Sequence, residues 1–181
     1  PIVNVALTTF GRLQQDLPAL QRAYLRLTQF MATGSMPLFF GLGAVADVLV
    51  PLVFGERWEG SAVVLQLLGF IVLGSSINYF FPPVMIAVGK SRRLLTQSLF
   101  QLVVTIVFIF IGGQFGLVGV MVGFIARGLV VAAYNLLVLR KEAGVDVGQV
   151  LRSLIPPIVS SAILYGAVEA MKFQLRGHVP D

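Results

Sequence analysis

Five long apolar stretches, at about 28–54, 61–88, 94–111, 115–139 and 150–173, organise the chain. Each is long enough to cross a bilayer, whose hydrocarbon core takes about 17–25 mostly apolar residues as a helix. Each must be helical, because lipid offers no partner to an unpaired backbone group. The links between them are short, so neighbouring helices run antiparallel. Asp47 interrupts the first stretch, Arg127 stands near the middle of the fourth, and Glu169 lies near the end of the fifth. Ahead of them, Phe10, Leu13, Leu17, Leu20, Tyr24 and Leu27 recur at spacings of three and four. That is one face of a helix. Arg12, Gln15, Asp16, Gln21, Arg22 and Arg26 fill the other faces. Residues 1–27 therefore read as an amphipathic arm with Asp16 as N-cap and Pro18 in the first turn. Its basic side suits an anionic inner leaflet; packing on a neighbouring subunit or an upstream helix is the alternative. Residues 174–181 form a tail.

Composition narrows the class. Hydrophobic residues make up 57% of the 181 and charged ones 12%, with a mean hydropathy of +0.91. A soluble domain carries about 25% charged residues. An ordinary globular enzyme is excluded, as is a disordered chain, which needs low hydrophobicity. The expected fold is all-α, a polytopic membrane bundle of about five transmembrane helices.

Charge orients the bundle. The net charge is +5, and the basic residues sit in short clusters between apolar runs. That distribution disfavours a nucleic-acid face and fits membrane loops. With the first span running outward, Arg12, Arg22, Arg26, Lys90, Arg92, Arg93, Arg140, Lys141 and Arg152 fall on one side, and Arg57, Lys172 and Arg176 on the other. Positive-inside asymmetry makes the first side cytoplasmic. The arm, GKSRR (89–93) and LRKEAG (139–144) then face the cytoplasm, and FGERWEGS (54–61) faces out.

Candidate chemistry within the spans is sparse. An arginine at mid-membrane costs about 2.5 kcal/mol or more, so Arg127 should face a wet cavity or an acidic partner, for which Asp47 is the candidate. A substrate phosphate is one ligand for its guanidinium; a structural ion pair is the other reading. Arg127, Asp47 and Asn78 are the candidate substrate-pathway residues. Gln66, Gln97, Gln101, Gln114 and Asn135 also sit in or beside spans, where they either join helices or line a path. Pro37, Pro51, Pro82-Pro83 and Pro156-Pro157 predict bent helices. Gly119 and Gly123 form a small-xxx-small pair that lets another helix approach.

No catalytic, cofactor-binding or metal-binding residue is assigned. The chain has no cysteine, one histidine (His178, outside the spans) and scattered acids, with no phosphate-binding glycine loop. Glu56 and Glu59 flank Arg57-Trp58, which reads as an interfacial anchor.

Several segments in order carry a resemblance. They are FGRLQQDLPALQRAYLR (10–26), PLFFGLGAVADVLVPLVFGERWEGSAVVLQLLGF (37–70), AVGKSRR (87–93) and FGLVGVMVGFIARG (115–128). Together they resemble the polysaccharide transporter family of lipid-linked oligosaccharide flippases, within the multidrug/oligosaccharidyl-lipid/polysaccharide exporter superfamily. The resemblance implies two related bundles around a cavity, with this chain supplying about five helices of the second. It implies alternating-access movement of polyprenyl-pyrophosphate-linked glycan across a bacterial plasma membrane, with no enzyme activity and no cofactor. The implied partners are the bilayer, that glycan and the N-terminal bundle of the same protein. The chain begins Pro1-Ile2-Val3 rather than with methionine and is read as the C-terminal part of such a transporter. A drug or peptidoglycan-precursor exporter of the same superfamily is the sister reading. A membrane-embedded polysaccharide polymerase and an accessory scaffold subunit are readings of other classes.

Overall fold

The computed structural model describes residues 9–176, with side chains described through residue 174. His178, residues 177–181 of the tail and residues 1–8 of the arm lie outside them. The described residues are helical, with no strand among them. After a helical turn at residues 9–12 come α1 (Leu17–Ala44) and α2 (Ala46–Phe54), then a 3-10 segment, Glu56–Ser61. Next are α3 (Ala62–Asn78) and the short α4 (Phe81–Ala87). The chain continues through α5 (Arg92–Gly113) and α6 (Gly116–Ala143) to α7 (Val147–Arg176). Among the described residues four helical stretches are long and apolar enough to cross a membrane, and the bent pair α1–α2 makes a fifth when counted as one span. This is an all-α, multi-pass membrane bundle.

The helices pack as a row in the order α5, α6, α3, α1, α7. Glycine sets three of the contacts in that row. A Cβ on Gly112 of α5 or Gly119 of α6 would run into the other's backbone carbonyl, and one on Gly123 would meet the Phe108 oxygen at 2.6 Å. A Cβ on Gly74 of α3 would meet the Gly128 oxygen of α6 at 2.8 Å. The small-residue pair of α6 thus receives α5 of the same chain. Backbones this close gain dispersion contacts that bulkier residues would prevent. Phe100 and Tyr134 stack across the same α5–α6 seam, ring centroids 4.3 Å apart.

α1 runs unbroken from Leu17 to Ala44, across the change in hydropathy at residue 27. Asp16 caps it, accepting from the Ala19 amide at 2.9 Å, with Pro18 in the first turn. Leu20, Tyr24, Thr28, Ala32 and Met36, all fully buried, follow at intervals of four. That stripe spans both the arm and the first apolar stretch. Phe10, Leu20 and Tyr24 of the arm's apolar face are therefore covered by the chain itself, while Leu17 stays 43% exposed. Phe10 meets Phe80 edge-on at 6.5 Å, and both lie in one core with Leu20, Tyr24, Leu139 and Val150. The Tyr24 hydroxyl donates to the Ile77 carbonyl at 3.3 Å, and Gln21 Nε2 donates to the Ala143 carbonyl at 2.9 Å.

The one sharp break between paired helices among the described residues falls away from the prolines. α1 passes through Pro37, α2 through Pro51 and α7 through Pro156-Pro157 without ending. The chain turns by 71° at Val45, two residues after Gly43. There α1 presses on α3: a Cβ on Gly43 would stand 3.3 Å from the Gln66 oxygen. Pro82 and Pro83 sit in the first turn of α4, where a missing amide costs nothing.

An ion-pair cluster links the start of α5 to the end of α6. Arg93 donates from Nε to Glu142 at 2.9 Å, and Lys90 lies 3.7 Å from the same carboxylate. This joins the α4–α5 loop to the end of α6, beyond its apolar stretch. The Arg93 hydrogen bond holds the Glu142 carboxyl below its usual pKa. Gly144 ends α6 at φ 69°, a left-handed cap that only glycine takes without strain.

Candidate functional site

A polar cleft of about 350 Å³ opens between α3, α5 and α6. α6 brings Arg127 and Phe124, α3 brings Ser75, Asn78 and Tyr79, and α5 brings Gln97 and Gln101. At 1.5 Å per residue, Arg127 lies about 16 Å from the start of α6 and about 24 Å from its end, so it is deep in a membrane-crossing helix. Its guanidinium carbon sits 4.6 Å from the centre of the Phe124 ring. The ring face attracts a cation but offers no acceptor. Arg127 Nε is buried without a hydrogen-bond partner, and Arg127 has no ion-pair partner among the described residues. A buried donor of this kind is costly unless an acceptor arrives.

The wall around it is cross-braced. Asn135 donates from Nδ2 to Asn78 Oδ1 at 2.9 Å, and Asn78 Nδ2 donates to the Gly128 carbonyl at 3.3 Å. Gln97 Nε2 donates to Gln101 Oε1 at 3.0 Å, one turn along α5. These bonds fix which amide groups face the cleft.

Of the three sequence candidates, the fold brings Arg127 and Asn78 to one cleft. It gives Asp47 another partner. Lys172 Nζ of α7 reaches Asp47 Oδ1 at 2.6 Å and Glu169 at 2.9 Å. The expected pairing of Asp47 with Arg127 is therefore replaced by one with Lys172, because α1 packs on α7 while Arg127 faces α3 and α5. Gln97, Gln101, Ser75 and Tyr79 join the cleft, and only the two glutamines carried a polar signal in the sequence. No cluster of metal-ligating side chains exists among the described residues.

Residues 1–63 match the family described as "Polysaccharide biosynthesis protein". Over 125 residues, 68% of this chain, the sequence is 31% identical to the Lipopolysaccharide biosynthesis protein WzxC of Escherichia coli (strain K12). It is 32% identical over 72 residues, 39% of the chain, to the Teichuronic acid biosynthesis protein TuaB of Bacillus subtilis (strain 168). The matched parts span 25% of WzxC and 15% of TuaB. No solved structure matches the chain.

Proposed function

We propose, on the premise that this chain belongs to the polysaccharide transporter family, that it forms part of the second bundle of a larger transporter. That transporter moves lipid-linked oligosaccharide or polysaccharide units across the bacterial plasma membrane by alternating access. The observation that carries this reading is Arg127, a half-buried cation deep in an apolar helix whose Nε lacks an acceptor. Hydrocarbon satisfies such a group poorly, and a pyrophosphate oxygen satisfies it well. A guanidinium also stays charged at any physiological pH and matches phosphate geometry with two parallel donors.

In this reading Arg127 holds the anionic linkage between lipid and sugar, Asn78 shapes the cleft beside it, and the amides of Gln97 and Gln101 meet hydroxyls. Asp47 stands outside the headgroup contact and fixes the bend of α1–α2 to α7 through Lys172. No covalent step is involved, so the protein is a transporter rather than an enzyme.

The test uses the full-length protein in sealed vesicles, with a labelled polyprenyl-pyrophosphate-linked oligosaccharide in one leaflet. The label should reach the other leaflet faster than in protein-free vesicles. Failure to move any polyprenyl-linked glycan would overturn the reading. Lengthening of the glycan instead of movement would favour a polymerase.

A further inference from the structure

The polar cleft shares a wall with a second, apolar furrow. Ile71, Ser75 and Tyr79 of α3 border both, and they lie four residues apart on one helix face. The furrow, about 220 Å³, runs between α1 and α3 and is floored by Met31, Phe39, Leu68 and Val72. Three serines also line it, but each hydroxyl is turned back on its own helix. Ser35 donates to the Met31 carbonyl at 2.6 Å, Ser75 to Ile71 at 3.0 Å and Ser76 to Val72 at 3.2 Å. The furrow therefore presents hydrocarbon.

On the other side of that shared wall stand Arg127, with a donor lacking an acceptor, and the amides of Asn78, Gln97 and Gln101. A ligand that fills both spaces must be anionic at one end and hydrocarbon at the other. The furrow is also narrow. α1 and α3 approach so closely that a Cβ on Gly69 would stand 3.3 Å from the Phe39 oxygen. A helix, about 10 Å across, would lie over such a crevice, whereas a single alkyl or prenyl chain lies in it.

We infer that the α1–α3 furrow holds the hydrocarbon tail of the anionic lipid whose headgroup meets Arg127. The inference rests on the headgroup reading of Arg127 given above and adds where the tail goes. It makes α3 the divider between headgroup and tail, with Tyr79 and Ser75 at the boundary.

The test places a photo-crosslinking p-benzoylphenylalanine at Leu68 in the full-length protein, with the labelled polyprenyl-pyrophosphate oligosaccharide as probe. The reference position is Leu99, 65% exposed on α5 and outside both the cleft and the furrow. Leu68 should capture at least fivefold more label than Leu99. Equal capture, or crosslinking of Leu68 to another protein segment, overturns the furrow as a tail site. Adding Arg127→Ala to the Leu68 crosslinker separates the two claims. Several-fold loss of capture supports the shared ligand; undiminished capture keeps the furrow and removes the headgroup contact. As an independent readout, Leu68→Trp should slow transport at least fivefold, while Leu99→Trp leaves it within twofold. Unchanged transport in Leu68→Trp counts against the furrow. Where a Leu68 variant fails to insert, Met31 takes the crosslinker and the same outcomes decide.

Discussion

Asn135 donates its side-chain amide to Asn78 Oδ1 across 2.9 Å, and this bond ties α6 to α3 about two helical turns from the Gly128 carbonyl that Asn78 itself holds. Asn135 is fully buried, so no water replaces the bond when it is lost. Side-chain hydrogen bonds between membrane helices contribute about 0.6 kcal/mol on average and up to about 1.7. Asn135→Leu is expected to destabilise the full-length protein within that range, read as a shift in its unfolding midpoint in mixed detergent. Asn78→Ala should cost at least as much, because it removes two bonds.

Arg127 should matter for transport far more than for folding. Arg127→Ala is expected to lower flipping on the order of tenfold at matched expression, in the range for losing a charge-assisted hydrogen bond of about 1.5–3 kcal/mol. Arg127→Lys keeps the charge but not the paired donors, and should recover part of the rate. Undiminished flipping in Arg127→Ala would remove it from the substrate path.

The α5–α6 seam gives a stability test with a built-in control. Gly119→Val places a side chain where the Gly112 carbonyl already stands, and overpacking costs about 1–3 kcal/mol. Gly113→Ala, one residue from the seam, meets nothing within 4 Å and should be neutral or slightly stabilising. Equal effects of the two, measured by thermal unfolding in detergent, would mean that the close approach does not hold the helices.

Lys172 and Asp47 join α7 to the bend. The lysine side chain is 15% exposed and the carboxylate 32%, so the pair is neither fully screened nor fully desolvated. A double-mutant cycle with Lys172→Met and Asp47→Asn should give a coupling on the order of 1 kcal/mol. A coupling of zero would assign the bend to backbone packing alone.

Glu142 predicts a pH dependence at the end of α6. Its folded pKa lies below its unfolded one because Arg93 bonds the ionised form. Its contribution is therefore fully present above the unfolded value of about 4.3 and is lost as pH falls through the folded value. The thermal midpoint of the unmodified protein should exceed that of Glu142→Gln near pH 7. The gap should close on acidification below about pH 4; a gap that stays constant would contradict the linkage.

Much of this architecture is legible in hydropathy, because the need to satisfy every backbone group in lipid leaves a helix as the only solution for each long apolar run. The N-cap at Asp16 and the close approach at Gly119 and Gly123 are equally local and equally readable. The continuity of α1 is not. The loss of polar residues near residue 27 marks a change of surroundings, while the buried stripe from Leu20 to Met36 continues through it. The site was half legible. Arg127 stands out by its depth alone, and Asn78 by its polarity. The partner of Asp47 lies 125 residues away on α7, and nothing in local spacing selects Lys172 over Arg127. Ser75 and Tyr79 carry no signal until α3 is seen to divide two clefts.

The unbroken α1 makes its N-terminal end a lever. Its 28 residues form a rod about 42 Å long, with the 71° corner at Val45 as its natural pivot. A rotation of about 10° there would sweep the Leu17 end through about 7 Å. The furrow borders the middle of the rod, and Gln21 grips the end of α6 near its tip. A force applied to the Leu17 end of α1 is thereby delivered, by geometry alone, to the walls of the furrow.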